Sequence, residues 1–88
     1  MSKARVLIAD DHALVAEGLK SLLADEYEIV GISPDGRRLV SDAGLLKPDV
    51  IVLDIGMPEL NGVEAALQLG KLVPRAKLVF VTQQVDVQ

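Results

Sequence analysis

Val50-Ile51-Val52-Leu53-Asp54-Ile55-Gly56-Met57-Pro58 opens as an unbroken apolar run and stops abruptly on an acid and a turn. A short run rich in β-branched residues, bounded ahead by Lys47-Pro48-Asp49, reads as a strand buried on both faces. That pattern belongs to a parallel sheet, because an antiparallel sheet with one solvated face alternates apolar and polar residues. Two runs of the same kind lie outward from it, Val6-Leu7-Ile8-Ala9 and Leu78-Val79-Phe80-Val81. Tyr27 to Ile32 is a weaker fourth strand whose polar interruptions suit a sheet edge.

Helical patterns fill the intervals. Leu14/Val15, Gly18/Leu19 and Leu22/Leu23 recur every four residues and predict one apolar stripe on a helix from about Ala13 to Ala24. Gly36 to Leu46 is a second, shorter helix, ended at Lys47-Pro48-Asp49 because the residue before proline avoids the helical region. Gly62 to Leu72 is the third, opened by Asn61 as N-cap and closed ahead of Pro74. The order is β-α-β-α-β-α-β, with crossovers long enough for right-handed parallel connections. The expected class is a doubly wound α/β domain.

The bulk composition narrows the functions. The 88 residues suffice for one small domain, and half are apolar, almost all of them Val, Leu, Ile and Ala. With no Cys, a disulfide framework, a thiolate zinc site and a cysteine nucleophile are excluded; the single histidine, His12, excludes a His-rich metal cage. The formal net charge of -4 makes nucleic acid a poor direct partner. The N-terminal Met1-Ser2-Lys3-Ala4-Arg5 leads into too few apolar residues for a signal peptide or a membrane span, so the expected compartment is the cytoplasm.

In an open parallel sheet, ligands bind beyond the carboxyl ends of the strands. The residues just past each strand are therefore the candidates: Asp10 and Asp11 after the first, Asp54 after the third, and Thr82 after the fourth. Taken singly, each is ordinary, since Asp is a common turn residue and helix N-cap, and Asp11 is itself a candidate cap. Together, three acids at one sheet edge repel one another and cost stability unless a cation is present. Hard oxygen donors with few protein ligands suit Mg²⁺, which keeps several waters and usually shares its site with phosphate. A carboxylate held beside that ion can attack phosphorus, and a hydroxyl such as that of Thr82 can bind a phosphoryl oxygen.

The stretches Ile8-Ala9-Asp10-Asp11-His12, Pro48 through Gly62 and Val79-Phe80-Val81-Thr82 resemble response-regulator receiver domains, and the resemblance covers nearly all of the chain. It implies a flavodoxin-like sheet of strand order 2-1-3-4-5. It implies that Asp54 accepts a phosphoryl group from a sensor histidine kinase. It also implies that Asp11, Asp54 and the backbone carbonyl of Gly56 bind Mg²⁺, with Asp10 acting mainly through water or hydrogen bonds. Thr82 would then couple the phosphoryl group to a surface change that drives transcriptional output. Asp10-Asp11-His12 with Ala13-Leu14-Val15-Ala16-Glu17-Gly18-Leu19 resembles the NarL/FixJ branch, whose regulators usually carry a C-terminal LuxR-type DNA-binding domain. His12 is read as a solvated first-turn residue, and Gly56 as a position with no side chain to place or exclude a hydrolytic water.

Two departures from the family qualify this picture. Gln83 stands where receivers usually have a small residue. The fourth helix, fifth strand and fifth helix, with a phosphoryl-pairing Lys, have no counterpart within 1–88. The chain is thus expected to be a C-terminally truncated receiver, with Val79 and Val81 facing solvent and self-association through the uncovered edge and helix face. The rival reading is a phosphorylation-incompetent fragment acting only as a self-associating module. An Asp-nucleophile phosphatase ranks lower, since it wants a second acid where Gly56 stands. The protein is otherwise expected not to be an enzyme, beyond self-catalysed phosphoryl transfer and hydrolysis.

Overall fold

Apolar runs separated by helix-length segments leave the chain one economical arrangement, and the computed structural model, which describes residues 3–57 and 61–81, adopts it. The elements are β1 (Ala4–Ala9), α1 (Ala13–Leu23), β2 (Tyr27–Ser33), α2 (Gly36–Leu46), β3 (Val50–Asp54), α3 (Gly62–Leu72) and β4 (Lys77–Val81). The described strands form one parallel sheet of order β2-β1-β3-β4. This is the doubly wound α/β fold expected from the sequence, and each element falls within about two residues of its expected span.

Alternation along the strands divides the core in two. Leu7, Ala9, Ile51 and Leu53 point to the face covered by α2 and α3, where they meet Leu39, Ala43, Leu69 and Val73. Val6, Ile8 and Val52 point to the other face and meet Ala16 of α1. The central strands β1 and β3 are therefore dry on both sides, and each fully buried Leu or Ile contributes about 1.5–3 kcal/mol. β2 is half-buried along most of its length, as its polar interruptions indicated. Its pairing with β1 slips after Val6, where Val6 faces Ile29 but Leu7 faces Gly31, so Val30 turns to the α2 face.

β4 departs from a strand buried on both faces. Val79 and Phe80 are 44 % and 46 % exposed, while Val81 is partly buried against the α1-side core. Solvent exposure was expected for Val79 and Val81, and it falls on Val79 and Phe80 instead.

The apolar stripe of α1 also differs from expectation. Ala16 and Leu19 turn toward the sheet and Leu23 is half-buried, whereas Leu14 and Leu22 are 89 % and 80 % exposed. The small Ala16 is the contact that lets the helix lie close on β1, and the neighbouring ridge of Leu14, Gly18 and Leu22 then faces away. Helix ends obey local chemistry. Asp35 caps α2 through Arg38 N–H (2.8 Å), and Asn61 caps α3 through Glu64 N–H (3.1 Å). α2 stops at Lys47, whose left-handed backbone (φ 47°) replaces the extended geometry usual before proline.

Candidate functional site

β1 and β3 lie side by side with Ala9 opposite Leu53, so Asp10, just past β1, and Asp54, at the end of β3, meet at the carboxyl edge of the sheet. Backbone bonds extend both strands to this edge. Asp10 N–H donates to the carbonyl of Ser33 (3.0 Å), and Ile55 N–H donates to that of Val81 (3.0 Å). The two acids are 2 % and 1 % exposed. Each carboxylate closes the same small turn: Asp10 Oδ1 accepts from His12 N–H at 2.8 Å, and Asp54 Oδ1 from Gly56 N–H at 2.9 Å. The turns fix one oxygen of each acid and aim both carboxylates along the same rim.

Asp11 completes the acidic group from the exposed side, but it does not cap α1. The N-cap is His12, which makes no side-chain capping bond, because α1 begins one residue later than a cap at Asp11 requires. Asp11 Oδ1 lies instead 3.0 Å from His12 Nδ1, which is also 3.4 Å from Asp10 Oδ1. Asp10, Asp11, His12 and Asp54 each offer one ligand atom, all within 4.8 Å of one another. His12 is solvent-exposed at the start of α1, as expected, and its ring also contacts the carboxylates of Asp10 and Asp11, which its place directly after the acidic pair allows.

Gly56 sits in the turn directly after β3, and its described contact with Asp54 is through the amide. A methyl group on Gly56 would stand 3.3 Å from Asp54 Oδ1, so the absence of a side chain leaves that flank of the carboxylate open. Thr82, Gln83 and Pro58 lie outside the described residues. The donor chemistry suits a hard divalent ion: three carboxylates, two of them buried, converge where like charges gain from neutralisation.

The sequence profile of the response regulator receiver domain matches residues 6–88. The chain belongs to that receiver family. It is 41 % identical over 76 residues to the chemotaxis protein CheY of Thermotoga maritima, covering 85 % of this chain and 63 % of that protein. It is 39 % identical over 84 residues to the transcriptional regulatory protein YdfI of Bacillus subtilis, covering 93 % of this chain and 39 % of that one. Among solved structures, the LuxR-family response regulator of Aurantimonas superposes with a TM-score of 0.85 at 27 % identity, over 96 % of this chain and 61 % of that chain. The receiver therefore spans less than two-thirds of the length of these relatives. Transcriptional regulators and a LuxR-family structure among them agree with the NarL/FixJ resemblance. Receiver domains are generally regulatory units of two-component systems. Among the described residues, no helix is long and apolar enough to cross a membrane.

Proposed function

We propose that this receiver works in the cytoplasm, where Asp54 accepts a phosphoryl group from the phosphohistidine of a sensor histidine kinase and passes the signal to transcriptional output. One observation carries the reading: Asp54 is held at the carboxyl edge of the central strand, 1 % exposed as a residue, in a cluster with Asp10 and Asp11. A carboxylate oxygen of Asp54 forms the new O–P bond as the donor's N–P bond breaks. The electron pair of that bond returns to the donor imidazole, which takes up a proton.

The residues divide the remaining work. The turn through Gly56 N–H orients the Asp54 carboxylate, and glycine at that position leaves room for the incoming group. Asp11 and Asp54, with the backbone carbonyl of Gly56, are the groups to hold Mg²⁺; Asp10 supports them through water or hydrogen bonds. A bound Mg²⁺ supplies positive charge against the oxygens of the transferring group. Thr82 is assigned the phosphoryl-binding hydroxyl, on the strength of the family resemblance.

The test is direct. Incubation with Mg²⁺ and a small phosphoryl donor should add one phosphoryl mass to the wild-type chain, in an acid-stable, base-labile form, and nothing to Asp54→Asn. Equal labelling of both proteins, or of neither, rejects Asp54 as the acceptor in this chain.

A further inference from the structure

His12 is the protein's single histidine, and its Nδ1 lies 3.0 Å from Asp11 Oδ1 and 3.4 Å from Asp10 Oδ1. Metal–ligand bonds of about 2.0–2.2 Å place neighbouring ligand atoms roughly 2.9–3.5 Å apart in octahedral or tetrahedral sites. Both separations fall in that interval. The full spread of 4.8 Å across the four ligand atoms exceeds the roughly 4.2 Å between opposite ligands of an octahedral ion, so the set closes by well under an ångström. The means of closing is present: the His12 side chain is 57 % exposed and stands on the N-cap, outside both cores. Rotation of its side chain moves the imidazole without disturbing packing.

An imidazole changes which ions the site favours. Mg²⁺ takes oxygen ligands and retains water, and gains little from a nitrogen donor. Later first-row ions bind imidazole well, whereas carboxylate, carbonyl and water ligands suit Mg²⁺. We propose that His12 joins Asp11 and Asp54 as a nitrogen ligand, with Asp10 beside them, so that this receiver's acidic site accepts Co²⁺, Ni²⁺ or Zn²⁺ through an imidazole bond. The inference rests on the reading of the carboxylates as a divalent-cation site and adds the ligand that sets its selectivity. Coordination through Nδ1 leaves Nε2 to carry the ring proton toward solvent. The competing arrangement is a plain hydrogen bond from Nδ1–H to Asp11, which the same 3.0 Å distance allows.

Absolute affinity does not separate the two, because Co²⁺ outbinds Mg²⁺ at most sites. The dependence on His12 does. The whole chain is titrated separately with Co²⁺ and with Mg²⁺ at one fixed pH and ionic strength, as wild type, His12→Asn and the double variant Asp11→Asn/Asp54→Asn. Asparagine is a favoured N-cap, so the first variant keeps its fold. The expected result is a loss of about tenfold or more in Co²⁺ affinity for His12→Asn, with Mg²⁺ affinity changed by less than about twofold. The visible ligand-field spectrum of the bound Co²⁺ should change with it, and the wild-type imidazole resonances, unambiguous for a lone histidine, should shift paramagnetically. Equal Co²⁺ affinity and spectrum in wild type and His12→Asn overturn the proposal, as do unshifted imidazole resonances with Co²⁺ bound. A double variant that binds both ions as wild type does would remove the carboxylate site itself, a distinct failure.

Discussion

The two ends of the sheet handle charge in opposite ways. At the amino end, Arg5 and Asp49 are bound into one network. Arg5 N–H donates to Asp49 Oδ2 (2.8 Å), Asp49 N–H returns to the Arg5 carbonyl (2.8 Å), and Lys77 N–H reaches the Asp49 carbonyl (2.9 Å). The Arg5 guanidinium then spans to the carbonyls of Leu46 (2.7 Å) and Lys47 (3.1 Å), where the last turn of α2 leaves acceptors without helical donors. At the carboxyl end, three carboxylates of one sign are gathered on one rim, two of them buried. The first arrangement ties β1, α2, β3 and β4 together; the second sets like charges side by side, at the rim where the proposed cation and phosphoryl group would bind. One end pairs its charges with partners, and the other, on the proposed function, holds them for chemistry.

Substitution should expose that difference most strongly at Arg5. In Arg5→Met the aliphatic stem survives, but two carbonyls at the end of α2 lose a charged donor. A hydrogen bond to a charged group is worth about 1.5–3 kcal/mol, and one of these two is solvent-exposed, so about 2 kcal/mol of stability should be lost in denaturant unfolding. Addition of Mg²⁺ should leave that deficit unchanged. A loss under about 0.5 kcal/mol would show that the amino-end network is decorative.

The opposite sign is expected at the other end. Asp54→Asn keeps an oxygen to accept from Gly56 N–H while removing one of three neighbouring negative charges. Without divalent ions the variant should be more stable than wild type by about 1 kcal/mol, the scale of a close like-charge contact at partial burial. Mg²⁺ should raise the melting temperature of the wild type and barely move that of the variant. A destabilised Asp54→Asn that still responds to Mg²⁺ would erase the contrast between the two ends.

The two ends are also unequally legible in the sequence. The carboxyl rim can be read because a buried parallel strand is visible as an apolar run, and the residues just past such a run must emerge at one edge. Asp10, Asp11 and Asp54 are located that way, and the structure brings them together. The amino-end network gives no such signal. Arg5 and Asp49 are 44 residues apart and look like ordinary strand-flanking charges until β1 and β3 are paired. The orientation of α1 escapes the sequence for a related reason. Leu14, Gly18 and Leu22 form as regular a ridge as Ala16, Leu19 and Leu23, and periodicity alone cannot choose which ridge meets the sheet. The slip in β2 at Val30 is invisible too, since a bulge inserts a residue without changing composition.

The smallest effect should come from His12, where local stability and site chemistry diverge at one residue. As N-cap of α1 it adopts the extended backbone a cap requires (φ -100°, ψ 103°), yet its side chain makes no capping bond. Its ring is turned to the carboxylates of Asp10 and Asp11 instead. Asparagine is among the strongest N-caps, and its short amide oxygen can reach the free amides of the first turn, as Asn61 does for α3. His12→Asn should therefore stabilise the domain by about 0.5–1 kcal/mol in chemical denaturation without divalent ions. The gain would mark His12 as a position where the rim forgoes a better helix start to keep an imidazole beside its acids. An unchanged or lowered midpoint would mean that the imidazole–carboxylate contacts already stabilise the helix start as well as a cap does, and the line between the two ends would have to be drawn beyond residue 12.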